Sequence, residues 1–246
     1  MVAVSAMLLL PSTTCALSLQ TLPDAPKQSR RSFLASGASV ASLSLVFPSN
    51  NIANAASTPS VYEGMSAFAA NKVEESVAIY DSIIRENPKR KPFLWQRGLS
   101  LYYAERYVDG AEQFKTDVAV NPNDTEEQIW HLLCLAKTEG VGSLDKAREQ
   151  KLTVGKDRRP VMRLVQKLFL GDTASEAELI AMAKDSNVGN KFYASLYLSL
   201  YYESLNDEKS SKEWMSNAVA TEYAKTAGSR DLMVDVAKVA MKRRGW

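Results

Sequence analysis

The chain has 246 residues, 46% of them hydrophobic and 24% charged, which suffices for one sizeable core or a short helical array. Of its 30 basic and 28 acidic residues, Lys27, Arg30, Arg31 and Asp24 lie in the first 55, so 27 of each sign remain from Ala56 onward. Charge mixed this evenly argues against a nucleic-acid-binding domain, which concentrates basic residues on one face, and with Cys15 and Cys134 falling on either side of Ala56 an internal disulfide beyond that point is excluded.

Val2 to Leu10 is a nine-residue apolar run followed by Pro11 and the small residues of Thr14-Cys15-Ala16, which reads as an ER-type signal even though no basic residue precedes it. Leu17 to Ser29 is polar, carries one acid and Pro23, Pro26 and Lys27, and suits a plastid transit segment. Ser29-Arg30-Arg31-Ser32-Phe33-Leu34 then opens an alanine- and serine-rich apolar stretch from Phe33 to Phe47, with Ala53-Asn54-Ala55 before Ala56. This resembles a twin-arginine export signal, with Arg30, Arg31, Phe33 and Leu34 as targeting residues and Ala53 and Ala55 at the cleavage site. The apolar stretch has 15 residues, short of the ~20 that a membrane-spanning helix needs. Three signals in series resemble those of lumenal proteins of algae whose plastids have extra membranes. The expectation is a removable leader, 1–55, that delivers a domain of 56–246 to the thylakoid lumen; the alternative is a bacterial-type protein exported to a periplasm or secreted.

Beyond the leader, Gly64 and Gly98, Ser76 and Gly110, Tyr80 and Phe114, and Pro88 and Pro122 are all separated by one and the same interval. That interval is the tetratricopeptide period of about 34 residues, and each residue type has a physical reason. Small residues let two helices approach, an aromatic ring fills the space between them, and proline ends the second helix. Downstream the repeat loosens. Asn123 to Glu139 reads as a helix capped by Asp124 or Thr125, Gly140-Val141-Gly142-Ser143 lengthens the turn, and Leu144 to Leu152 follows as a degenerate partner. After a break at Asp157 to Pro160, Val161 to Leu170 and Glu176 to Lys184 read as helices outside the repeat. Phe192 to Leu205 and Glu208 to Thr221 form a fourth repeat, with Ser199-Leu200-Tyr201-Tyr202 echoing Ser100-Leu101-Tyr102-Tyr103 and Trp214 near the Phe114 position. Asp231 to Arg243 reads as a closing helix, which a repeat array needs at its exposed end. The expected fold is all-α: helical hairpins of the tetratricopeptide kind in an α-solenoid, with a degenerate middle and a C-terminal cap.

Gln96-Arg97-Gly98-Leu99-Ser100-Leu101-Tyr102-Tyr103, Asn121-Pro122-Asn123-Asp124, Ile129-Trp130-His131-Leu132, Phe169-Leu170-Gly171-Asp172 and Phe192-Tyr193-Ala194 through Asn206-Asp207 occur in an order that resembles one bacterial family. Its members are periplasmic tetratricopeptide lipoproteins that serve as adaptors of the tail-specific, or C-terminal processing, protease. The leader here ends in alanine instead of a lipid-carrying cysteine, and one N-terminal hairpin of that family is missing, which leaves lipid anchoring and the family's dimer contacts open. The resemblance implies a non-catalytic adaptor that presents substrates to a processing protease or assists photosystem II assembly or repair. A permanent structural subunit of a photosynthetic membrane complex is the competing expectation. The expected partners are proteins, with a homodimer allowed and membrane contact at most peripheral.

In tetratricopeptide arrays the first helix of each pair lines a groove. The corresponding residues are Val61, Met65, Phe68, Trp95, Leu99, Tyr102, Tyr103, Leu198, Tyr201 and Tyr202, with Gln96 and Arg97 beside them. Such a surface suits the apolar face of a peptide, with phenol hydroxyls setting register, unless the closing helix fills it and these residues are core. The lysine and asparagine clamp of chaperone-tail receptors is absent. His131 and Cys134 share a helix face, but two ligands do not make a zinc site and no third group orients the histidine as a base. Gly155-Lys156 lacks the rest of a phosphate loop, and Lys238, Lys242, Arg243 and Arg244 suit the last turn of a helix. No catalytic residue, metal or cofactor is expected.

Overall fold

The computed structural model describes residues 58–226 and 230–246, and these fall within one compact unit. The targeting residues Arg30, Arg31, Phe33, Leu34, Ala53 and Ala55 lie outside them. Among the described residues there are twelve α-helices, one 3-10 segment and no strand.

The first two helix pairs repeat to the residue. Helices α1 (Val61–Ala69) and α2 (Val73–Glu86) are followed by α3 (Trp95–Tyr103) and α4 (Tyr107–Val120), with every boundary displaced by the interval that separates Gly64 from Gly98. A 3-10 segment (Pro88–Phe93) lies between the pairs. The repeated residues meet as their types require. A Cβ built on Gly64 would lie 2.5 Å from the Tyr80 ring, and one on Gly98 would lie 2.5 Å from the Phe114 ring. Both glycines are therefore the space into which an aromatic ring of the partner helix sits. Ser76 donates to the Gly64 carbonyl at 2.7 Å and shares a 2.9 Å hydrogen bond with Ser100. At the Ser76-equivalent position, a Cβ on Gly110 would lie 2.8 Å from the Cys134 sulfur. Pro88 opens the 3-10 segment once Asn87 has ended α2, and Pro122 follows Asn121, the C-cap of α4.

Helices α5 (Thr125–Lys137), α6 (Leu144–Arg148), α7 (Pro160–Phe169), α8 (Ala174–Lys184), α9 (Val188–Ser204) and α10 (Glu208–Ala220) continue the chain. The sequence places Val161 to Lys184 outside the repeat, yet α7 and α8 form a hairpin with the same turn as α1/α2, α3/α4 and α9/α10. In each, one residue adopts the left-handed conformation: Asn71 (φ 64°), Glu105 (φ 60°), Gly171 (φ 106°) and Asn206 (φ 60°). The next N–H then reaches back along the first helix, from Lys72 to Ala67, Arg106 to Leu101, Asp172 to Lys167 and Asp207 to Tyr202, at 2.9 to 3.0 Å. This closure satisfies the last carbonyls of the first helix and reverses the chain. The α5/α6 turn is wider and uses Gly140 and Gly142 instead.

The α6 expectation was too long, since the helix stops at Arg148 and residues 152–157 carry no regular structure. Only Leu144 and Ala147 of α6 are buried, so little apolar contact sustains it. Conversely α9 begins at Val188, ahead of Phe192, because Asn187 accepts from the Asn190 N–H and caps it. Consecutive odd-numbered helices α1, α3, α5, α7 and α9 touch one another in series, giving a continuous layer. After the short α11 (Glu222–Lys225), α12 (Leu232–Arg244) packs on α1, α3 and α10.

Candidate protein-binding surface

The structure brings the expected groove residues together and then covers most of them. Phe68, Gln96, Leu99, Tyr102, Tyr103, Leu198 and Tyr201 are buried, while Val61, Met65, Trp95 and Tyr202 remain partly exposed. Of the two alternatives the sequence leaves, an open groove or a packed core, this burial is that of a core: α12 packs on α1 and α3, while Tyr201 of α9 meets the Phe169 ring of α7. In α12, Leu232, Met233, Val234, Val236, Ala237, Val239 and Ala240 are all buried, which is apolar contact around most of its circumference. A helix of that kind belongs in a core.

Polar anchors hold α12 at both ends. Near its C-terminus the Arg244 guanidinium pairs with Glu203 and lies 5.7 Å above the Tyr103 ring. The Tyr102 hydroxyl donates to the same carboxylate at 3.1 Å, and Lys137 approaches it to 3.7 Å. Arg243 also pairs with Glu74 of α2. Burial opposes the Arg244 charge, but Glu203 outweighs it and keeps the guanidinium protonated; burial, reinforced by Glu203, pushes the Tyr102 and Tyr103 phenols well up. At the N-terminus, Asp231 caps α12 and accepts from the Tyr193 and Tyr223 hydroxyls at 2.7 and 2.8 Å. Tyr193 lies 5.6 Å beneath Arg159, which holds Asp157 through two nitrogens and Glu126 at 2.9 Å. Glu126 is wholly buried and also accepts from Tyr197 at 2.7 Å. Burial works against the Arg159 charge; Glu126 and Asp157 more than offset it. Nothing in the sequence pattern signalled this second network, whose members are drawn from α5, the loop before α7, α9, α11 and the start of α12.

Of the partly exposed groove members, Met65, Trp95 and Tyr202 pack against the main core and Val61 against a smaller cluster. Tyr202 is held by Glu176 of α8, and Val61 packs with Tyr80, Ile83 and Leu94. Arg97 pairs with Asp81 at 2.7 Å and donates to Gln113 at 3.0 Å.

Two surface clefts are open. One, about 260 Å³, is lined by Val108, Lys115, His131, Leu135 and Leu152 among others. His131 shares a 2.8 Å hydrogen bond with the Ala111 carbonyl, and burial, the largest effect on it, lowers its pKa. Cys134 is buried under Gly110, and burial pushes its thiol far up. The other cleft, about 400 Å³, lies between α8, α9 and α10 and is lined by Ala183, Lys184, Lys191, Ser195, Glu213, Trp214, Asn217 and Thr221. The sequence assigns Trp214 to the Phe114 role, but Met215 is the buried residue of that turn and Trp214 faces this cleft instead. Neither Lys184 nor Lys191 has an ion-pair partner within 4.0 Å among the described residues.

Comparisons with known proteins leave the chain to these observations: no protein-family model matches it, and no curated protein is significantly similar to it. Among the described residues, no group of three or more histidine, cysteine or acidic side chains converges as a metal site, and no helix is long and apolar enough to cross a membrane.

Proposed function

We propose that this chain is a tetratricopeptide-type module that binds other proteins without catalysing a reaction, and that in a thylakoid lumen it serves as adaptor or assembly factor for a C-terminal processing protease or photosystem II. The observation that carries the reading is the pair of hairpins whose boundaries and glycine-to-ring contacts recur at a single interval, continued by further hairpins with the same left-handed turn. Stacked hairpins of this kind present an extended surface suited to peptides and helices. With α12 packed on α1, α3 and α10, the cleft between α8, α9 and α10 is the better place for a partner. The Trp214 ring offers an apolar wall, Lys184 and Lys191 supply cationic donors, and Asn217 and Ser195 add polar groups. That set fits a short segment with an apolar residue beside a carboxylate.

The test is affinity purification of the tagged chain from isolated thylakoids, beside a Lys191→Ala/Trp214→Ala variant. Recovery of the protease or photosystem II subunits by the wild type and their loss from the variant supports the reading. Recovery of the tagged wild-type chain without any partner overturns it, and a partner held at constant stoichiometry through purification identifies a permanent subunit instead.

A further inference from the structure

The segment between the first two hairpins carries a feature that protein binding at the α8–α10 cleft does not use. The segment Pro88-Lys89-Arg90-Lys91-Pro92-Phe93 projects between the first two hairpins, and Phe93 is 64% exposed. Tyr62, at the start of α1, is 77% exposed. Their chain neighbours Val61 and Leu94 belong to one packed cluster with Tyr80 and Ile83, so the two rings emerge at the same end of the array. Arg85, at the end of α2, lies there as well and, among the described residues, has only Ser82 as a hydrogen-bond partner, at 3.3 Å. Lys89, Arg90 and Lys91 have no ion pair among the described residues. Glu86 ends α2 here, Glu63 is occupied in the capping box of α1, and Asp117 accepts from the Gln113 amide that also holds the Lys91 carbonyl.

The segment is also stiff. Two prolines restrict its backbone, and Asn87 accepts from the Lys89 N–H at 3.2 Å and, through its carbonyl, from Arg90 at 3.0 Å. Gln113 of α4 donates to the Lys91 carbonyl at 2.7 Å, clamping the loop to the second hairpin. Scattered exposed apolar residues are ordinary. A rigid knob that combines two exposed aromatic rings with four basic side chains has a chemistry of its own: rings suited to the boundary between lipid headgroups and acyl chains, and cations suited to anionic headgroups.

We infer that this end of the array docks peripherally on an anionic bilayer surface, with Phe93 and Tyr62 entering the headgroup boundary and Lys89, Arg90 and Lys91 facing the lipid charge. None of these residues lines the α8–α10 cleft, and the docking does not depend on what that cleft binds.

The probe is vesicle flotation of the chain from Ala56 onward, whose described residues close their own core, with vesicles of phosphatidylcholine alone or mixed with phosphatidylglycerol. Binding is expected only to the anionic vesicles, and it falls as salt rises. Lys89→Ala together with Arg90→Ala weakens it roughly thirtyfold, and Phe93→Ser weakens it as well; all three positions are exposed, so circular dichroism and the thermal midpoint stay at wild-type values. Phe93→Trp retains binding and adds tryptophan fluorescence that brominated acyl chains quench beyond any quenching of the wild type's four tryptophans. Equal binding to both vesicle types, no binding to either, or anionic binding unchanged by these substitutions overturns the inference. So does capture of acidic proteins by Lys89 and Arg90 without any vesicle binding, which would make this face a protein interface.

Discussion

Removing residues 231–246 tests whether α12 is core or a detachable occupant of a groove. The deletion takes away Leu232, Met233, Val234, Val236 and Val239, each at most 6% exposed. At ~1.5–3 kcal/mol for burying each such side chain, their loss amounts to roughly 7–15 kcal/mol, an upper figure because unfolded chains already bury some apolar surface. A domain of this size has a net stability of about 5–15 kcal/mol, so the deletion consumes most or all of it. It also exposes Tyr102, Tyr103 and Leu99, strips Glu203 of Arg244, and leaves Tyr193 and Tyr223 without Asp231. Far-ultraviolet circular dichroism during urea titration is the assay, with a dye that reports exposed apolar surface alongside. The truncated chain is expected to show no cooperative transition and strong dye binding. A cooperative transition, with the wild-type helical signal less one helix and rebinding of a separate α12 peptide, would refute the reasoning and restore an open groove.

Gly98→Ala should lower stability by about 1–2 kcal/mol by urea midpoint, since overpacking against the Phe114 ring at ~1–3 kcal/mol exceeds the ~1 kcal/mol gain in helix propensity; adding Phe114→Leu should recover part of the loss as a coupling energy. Arg159→Met deprives the fully buried Glu126 of its guanidinium, and should cost somewhat less than the ~3–5 kcal/mol typical of a broken buried pair because Arg159 is itself 30% exposed; Glu126→Gln in the same background should relieve part of that, read from the same denaturation curves. His131 is the only histidine in the chain, and burial lowers its pKa. The neutral ring is the one the fold prefers, so its contribution to stability is fully present above the unfolded value near 6.5 and is lost as pH falls from there through the folded value. Thermal midpoints measured from pH 7.5 down to 5 should therefore fall less steeply for His131→Gln than for the wild type.

Much of the fold was legible in local chemistry. The matched spacing of Gly64 to Tyr80 and of Gly98 to Phe114 is a contact written twice into the chain, because a missing side chain on one helix and a ring on the next answer one another across a hairpin. Asp124 announced the start of α5, since a side-chain oxygen before an apolar periodic run satisfies a free N–H. The helices α7 and α8 were legible at nearly their observed bounds, whereas their shared turn at Gly171 was not, because that pair lacks the ring and proline positions that mark the first two hairpins.

What the amino-acid order alone determined was the all-helical architecture and the period of its first hairpins, since both depend on interactions spanning a few turns of helix. Whether Tyr102, Tyr103 and Leu198 face a partner or the interior was decided only in three dimensions. Helix-face periodicity identifies an apolar stripe but not the body that covers it. For the two tyrosines the cover arrives from the far end of the chain, when α12 lies along α1 and α3 and Arg244 reaches Glu203.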